Sequence, residues 1–163
     1  MADKTNLKHE LWQRIDDQSA GMLGLEGTTM HMRPMTPHID EARNTIWFLC
    51  ASENQLAQME GGSGKAHFTI QSADERFYAC IRGTLRVSHD KDKLDTLWSV
   101  FASAFFEGGP EESDAILLEL TPEEAEIWTV DVGKTHFAAE IARSAFGDKP
   151  QPDLGSHEMV SLS

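Results

Sequence analysis

Cations are scarce in this sequence. Lys and Arg number 14 against 27 Asp and Glu, a formal net charge of −13 over 163 residues. Binding a nucleic-acid backbone requires clustered cations that neutralise phosphates, so no nucleic-acid partner is expected. An anionic membrane surface is unattractive for the same reason. Hydrophobic runs are short, and none approaches the roughly 20 residues of a membrane-spanning helix. The polar start MADKTNLKHE lacks the apolar stretch of a signal peptide. Cysteine is limited to Cys50 and Cys80. Both lie in predicted strands, where thiols are expected to pack as small hydrophobes rather than as a required disulfide. These absences point to a cytoplasmic protein.

Catalytic signatures are missing as well. The seven histidines are His9, His31, His38, His67, His89, His136 and His157, and no pair has the spacing of a zinc helix or a Cys-His finger. They read as scattered polar residues, so no metal site is expected. No Gly-x-Ser-x-Gly elbow occurs, which leaves a hydrolase without support. Gly61-Gly62-Ser63-Gly64 is glycine-rich, but no long helix follows it as a dinucleotide loop requires. Glu111, Glu112, Glu119, Glu123, Glu124 and Glu126 read as solvated faces rather than a paired acid and base.

What is present is an ordinary globular composition, 40% apolar and 25% charged, enough for one domain with a core. Leu7, Leu11 and Ile15 recur at helical spacing and predict a helix over 7–17. Segments 21–26 and 29–35 flank Gly27 as a hairpin. Pro34 and Pro37 then belong at a strand end, with 35–38 leaving the sheet. A third strand is predicted over 45–50 and a short helix over 53–59, capped by Ser52. Residues 65–71 alternate cleanly, and 76–87 form a long strand in which Gly83 marks a bulge or bend. Leu94, Leu97, Trp98, Phe101 and Phe105 form a stripe that predicts one helix over 91–106. Residues 115–120 and 125–130 read as a second hairpin around Thr121-Pro122-Glu123-Glu124. A helix over 136–146 follows, then a short apolar stretch near 159–162 that is either a last strand or an unstructured end. Hairpin-joined strands with packed helices predict a mainly β, α+β fold, an antiparallel barrel.

The most informative stretch is 30–52. Arg33 sits directly before Pro34, which holds its backbone extended. The aromatic strand Ile46-Trp47-Phe48-Leu49-Cys50 follows. A cation beside an aromatic strand suits a ligand with an anionic end and a flat ring.

Several strings in order resemble one known family. They are Arg33-Pro34-Met35, Ile46-Trp47-Phe48-Leu49, Phe77-Tyr78-Ala79-Cys80-Ile81-Arg82-Gly83, Leu97-Trp98, Phe105-Phe106-Glu107-Gly108-Gly109 and LLELTPEEAEIW over 117–128. The chain resembles the general-stress-protein branch of the pyridoxamine 5′-phosphate oxidase-like, FMN-binding split barrels. The resemblance covers about 7–130 of a single domain, with 131–163 a C-terminal helix and tail. It implies a six-stranded antiparallel split barrel that forms a homodimer and holds FMN, or a related flavin, in grooves between subunits. By that resemblance the phosphate lies near Arg33 and the loop after Cys50, where Ser52, Asn54 and Gln55 add neutral donors. The ring lies along Arg33, Pro34 and Met35 and along Trp47, Phe48, Leu49 and Cys50. Trp98, Phe106 or Trp128 from the partner closes the groove. Many relatives place a Ser or Thr and a Lys after the third strand, whereas 52–56 here is Ser-Glu-Asn-Gln-Leu. True pyridoxamine phosphate oxidases carry a C-terminal Arg-x-His, which is absent after Trp128. The expected function is therefore flavin binding by a general-stress-type protein. It is read as a flavin-dependent oxidoreductase on an unidentified small substrate, not a vitamin B6 oxidase. A non-catalytic flavin binder and a cofactor-free dimer are the alternatives.

Overall fold

Leu7, Leu11 and Ile15, with Trp12 beside them, are buried along one side of α1 (Lys4–Asp16) and seat it on the core. The computed structural model describes residues 4–98, 100–131, 134–147 and 155–163. The strands are β1 (Gly21–Leu25), β2 (Arg33–Met35), β3 (His38–Asp40), β4 (Thr45–Ala51), β5 (Ser63–Gln71), β6 (Phe77–Ser88), β7 (Ala115–Val130) and β8 (Gly155–Ser161). The further helices are α2 (Lys91–Leu97), α3 (Val100–Phe105) and α4 (Lys134–Phe146). No described helix is long and apolar enough to cross a membrane.

Every strand pairing is antiparallel, and the order is β2-β1-β5-β6-β7-β4-β3, with β8 added against β7. The two ends of this path, β2 and β3, are separated in sequence only by Thr36 and Pro37. Three Cα steps span at most roughly 11 Å. The sheet must therefore curl until its edges approach, which gives a half-barrel of the split-barrel kind. Eight strands occur among the described residues rather than six. The 29–35 strand shrinks to β2, the chain re-enters the sheet at once as β3, and the C-terminal stretch adds β8.

The core lies inside the curl. In β5, Ala66, Phe68 and Ile70 point inward, and in β6 so do Phe77, Ala79, Ile81 and Leu85. Phe68 meets Phe48 edge-on, with centroids 5.0 Å apart. The predicted hairpin over 115–130 is instead the single strand β7, paired along its length with β6. Its inward positions run Leu118, Leu120, Pro122 and then Ala125, Ile127. Glu123 is the extra residue of a bulge opposite the Arg82–Gly83 step. A Cβ on Gly83 would lie 2.2 Å from the Thr121 carbonyl oxygen, so only glycine fits there. The bulge also divides the other side of β7. Residues before it pair with β4 and those after it with β8.

Two helical expectations are corrected. Segment 53–59 forms consecutive turns, because the Asn54 side chain and backbone carbonyl accept from Leu56 and Ala57 and close the chain locally. The helix over 91–106 is divided into α2 and α3. Trp98 leaves helical geometry at φ −65°, ψ 123°, and no α2 residue is buried. The Phe101 side chain lies outside the described residues. Phe105, expected in the core or at an interface, is 70% exposed in the single chain.

Candidate functional site

The corner where the sheet's edges meet is where its regular alternation stops. Pro34 lacks a backbone donor, and it sits on an edge strand where none is needed. The Thr36 hydroxyl donates to the Ser19 carbonyl at 2.8 Å and pins the link to the end of α1. Beside this corner opens a cavity of about 380 Å³, lined by Pro34, Met35, Thr36, His38, Leu49, Ala51, Ala102, Phe105 and Phe106. That size suits a small organic ligand, and the walls are mostly apolar.

Arg33 stands at the head of β2, directly before this wall. Its guanidinium Nη2 donates to Gln55 Oε1 at 2.8 Å, across from the turn that follows β4. Its Nε is buried and has no acceptor among the described residues. A buried N–H without a partner is costly, so the guanidinium keeps hydrogen-bonding capacity that the described residues do not use. Ser52 is exposed nearby in the same turn as Gln55, with its N–H on the Asp114 carbonyl and Asn54 Oδ1 on the Leu56 N–H.

The other expected residues divide into two groups. Pro34, Met35, Leu49 and Phe106 line the cavity, and Trp98 braces Phe106 with ring centroids 5.9 Å apart. Phe48 and Cys50 turn into the core because β4 alternates, so only their backbone faces outward. Burial pushes the Cys50 thiol up to about 12, and Cys50 and Cys80 are both free. The Trp47 indole is covered by Lys93, whose Nζ lies 5.3 Å from its ring and 3.2 Å from Asp40. Trp128 lies apart, stacked on His157 at 5.2 Å beside a second cavity that meets the first only at Pro34.

Sequence reasoning missed Thr36, His38, Ala51, Ala102 and Phe105 as cavity walls. The apolar cluster around Phe105 was visible as a stripe, but its direction was not. His38 is half-buried, and burial depresses its basicity, partly countered by the Asp16 carboxylate. The described residues contain no cluster of histidine, cysteine and acidic side chains arranged to hold a metal.

Residues 6–153 match the model of a family described as pyridoxamine 5′-phosphate oxidase like. A structure from Jannaschia sp. CCS1, assigned as general stress protein 26, is 37% identical over 96% of this chain and 99% of its own, with a TM-score of 0.75. One from Xanthomonas campestris pv. campestris, assigned to the general stress family, is 32% identical over 82% and 93%, with a TM-score of 0.74. The general stress FMN/FAD binding protein of Xanthomonas citri is 31% identical over 77% and 89%, with a TM-score of 0.70. No curated protein matches.

Proposed function

The chain belongs to the pyridoxamine 5′-phosphate oxidase-like family, and from that premise we propose that it binds a flavin, FMN, in the groove at the β2–β3 corner. The observation that carries this reading is Arg33, a cation whose Nε has no acceptor among the described residues, directly before Pro34 and Met35 of the apolar cavity wall. The similarity to the Xanthomonas citri FMN/FAD binding protein supports it.

Arg33 supplies a charge-assisted, directional donor to the phosphate. Gln55 already holds one end of the guanidinium, so little side-chain entropy remains to be lost on binding. Met35, Leu49, Ala51 and Phe106 offer apolar walls to a flat ring and keep water from it. A bound flavin supplies electron-transfer chemistry, and the protein supplies binding, orientation and electrostatics. On this reading the protein is an oxidoreductase acting on a small substrate. The turn over 52–58 provides Ser52, Asn54 and Gln55 but no cation, so Arg33 carries the phosphate charge alone there.

A second copy of the chain completes the groove in this proposal. The outer face of the sheet presents three exposed apolar side chains, Met22 on β1, Trp128 on β7 and Met159 on β8, at 40%, 36% and 48% exposure. Sedimentation at micromolar concentration should show a dimer, and a stable monomer would overturn that part.

The flavin reading is tested by titrating FMN and riboflavin into wild type and Arg33→Ala. Losing a charged hydrogen-bond partner costs about 1.5–3 kcal/mol, so FMN should weaken about ten- to hundredfold while riboflavin barely changes. Equal loss for both ligands would remove Arg33 from the phosphate, and no binding by wild type would sink the flavin reading.

A further inference from the structure

The cavity at the corner holds a single titratable side chain on its wall. His38 sits on β3, opposite Trp47 of β4, with Leu49, Ala51, Ala102, Phe105 and Phe106 across the space. Among the described residues its imidazole makes no hydrogen bond and no ion pair. This differs from His9, His67 and His157, each of which lies against a carboxylate. The His38 nitrogens are not closed off from solvent, so each can exchange water for a donor or acceptor on a ligand that fills the cavity.

We propose that His38 is the specificity-determining residue of this groove, a neutral imidazole that hydrogen-bonds the polar edge of the bound ring. The inference rests on the flavin reading and deepens it. A neutral imidazole has one N–H donor and one lone-pair acceptor. Either matches the alternating carbonyls and ring nitrogens along one side of a flavin. The tautomer is set by whichever bond the ligand makes.

Charge follows from the surroundings. The carboxylate acting on the ring is Asp16 of α1, which favours the protonated form, while burial disfavours it and prevails. Asp40, on the same strand, is engaged by Lys93 of α2. Glu41 faces His9. The cavity-lining residues of β4 and α3 bring no charge. Arg33 of β2 is turned to Gln55. The groove is therefore tuned to an uncharged imidazole near neutral pH. A ring that fills the cavity removes more water from His38 and disfavours its protonation further. Ligand binding and protonation then oppose each other, and affinity falls as pH drops through the titration of His38 in the free protein.

Riboflavin is the probe, because the FMN phosphate itself gains a proton near pH 6, about where a phosphate monoester titrates. Relative to pH 8, riboflavin should bind wild type progressively more weakly as the pH falls through the titration of His38 in the free protein, with a limiting slope of about tenfold per pH unit. His38→Gln should bind more weakly at pH 8 and show no pH dependence. Imidazole NMR on wild type, with the His38 signal identified from the variant, gives a readout that does not depend on the variant's affinity. Saturating riboflavin should move the His38 midpoint downward. Riboflavin that binds with an unmoved midpoint and a flat pH profile would overturn the role of His38 and leave the flavin reading standing. No binding of riboflavin or FMN at any pH would overturn both.

Discussion

Strands β5, β6 and β7 and the corner formed by β2 and β3 belong to one sheet but follow different rules. β5 and β6 alternate inward and outward along 9 and 12 residues, and β7 runs for 16 with its alternation reset once at the Glu123 bulge. The polar groups on their outer surface find partners. Arg82 meets Glu26 at 2.5 Å, Lys65 meets Glu123, and Arg86 meets Glu119 at 2.8 Å. The corner strands have three residues each and include a proline, and among the described residues Arg33 Nε has no acceptor and the His38 ring has no hydrogen bond or ion pair. A satisfied surface is a scaffold. An unsatisfied one, held rigid by that scaffold, is where a ligand has something to gain.

If that contrast is right, substitutions in the two regions should separate stability from binding. The largest expected effect is on the scaffold. Phe48→Ala removes a fully buried ring from the contact with Phe68 and should cost about 3–5 kcal/mol in denaturant unfolding. A loss below about 1 kcal/mol would mean the core rearranges around the gap. Gly83→Ala forces a methyl group against the Thr121 carbonyl and should cost about 1–3 kcal/mol, read in the same way, with flavin affinity in the surviving fold unchanged. The smallest stability effect belongs to Arg33→Ala. Its pair with Gln55 is exposed and its Nε is an orphan, so unfolding free energy should shift by less than about 1 kcal/mol while FMN affinity collapses. A large stability loss there would make Arg33 a structural residue and erase the distinction between the regions.

The same contrast governs what the sequence revealed. The period-2 pattern of 65–71 and the helical spacing of Leu7, Leu11 and Ile15 are local signals, and the structure follows them. Gly83 was legible as a bulge or a bend, and it is a bulge. Its partner was not legible, because Thr121-Pro122-Glu123-Glu124 has the composition of a turn. Only the bulged pairing with β6 lets Pro122 stay inside a strand, with its carbonyl taken by Asn44 at 2.9 Å. The stripe at 94–105 reads as core or interface because its spacing is right, yet spacing does not say which surface it faces. In the structure its last member, Phe105, lines the cavity and is 70% exposed. Arg33 stood out because a cation before proline in an acidic chain is conspicuous. His38 did not, because a groove built where two distant edges meet has no signature in either segment alone.

The Thr36–Pro37 link has one more consequence, for self-association. An open sheet ends in two rows of unpaired backbone groups, each a template for another chain. Here a two-residue bridge turns those rows toward each other. Each is only three residues long, and one is interrupted by a residue that cannot donate. The fold thus blunts two of its own edges with a single turn of chain, and the gap left between them is the groove.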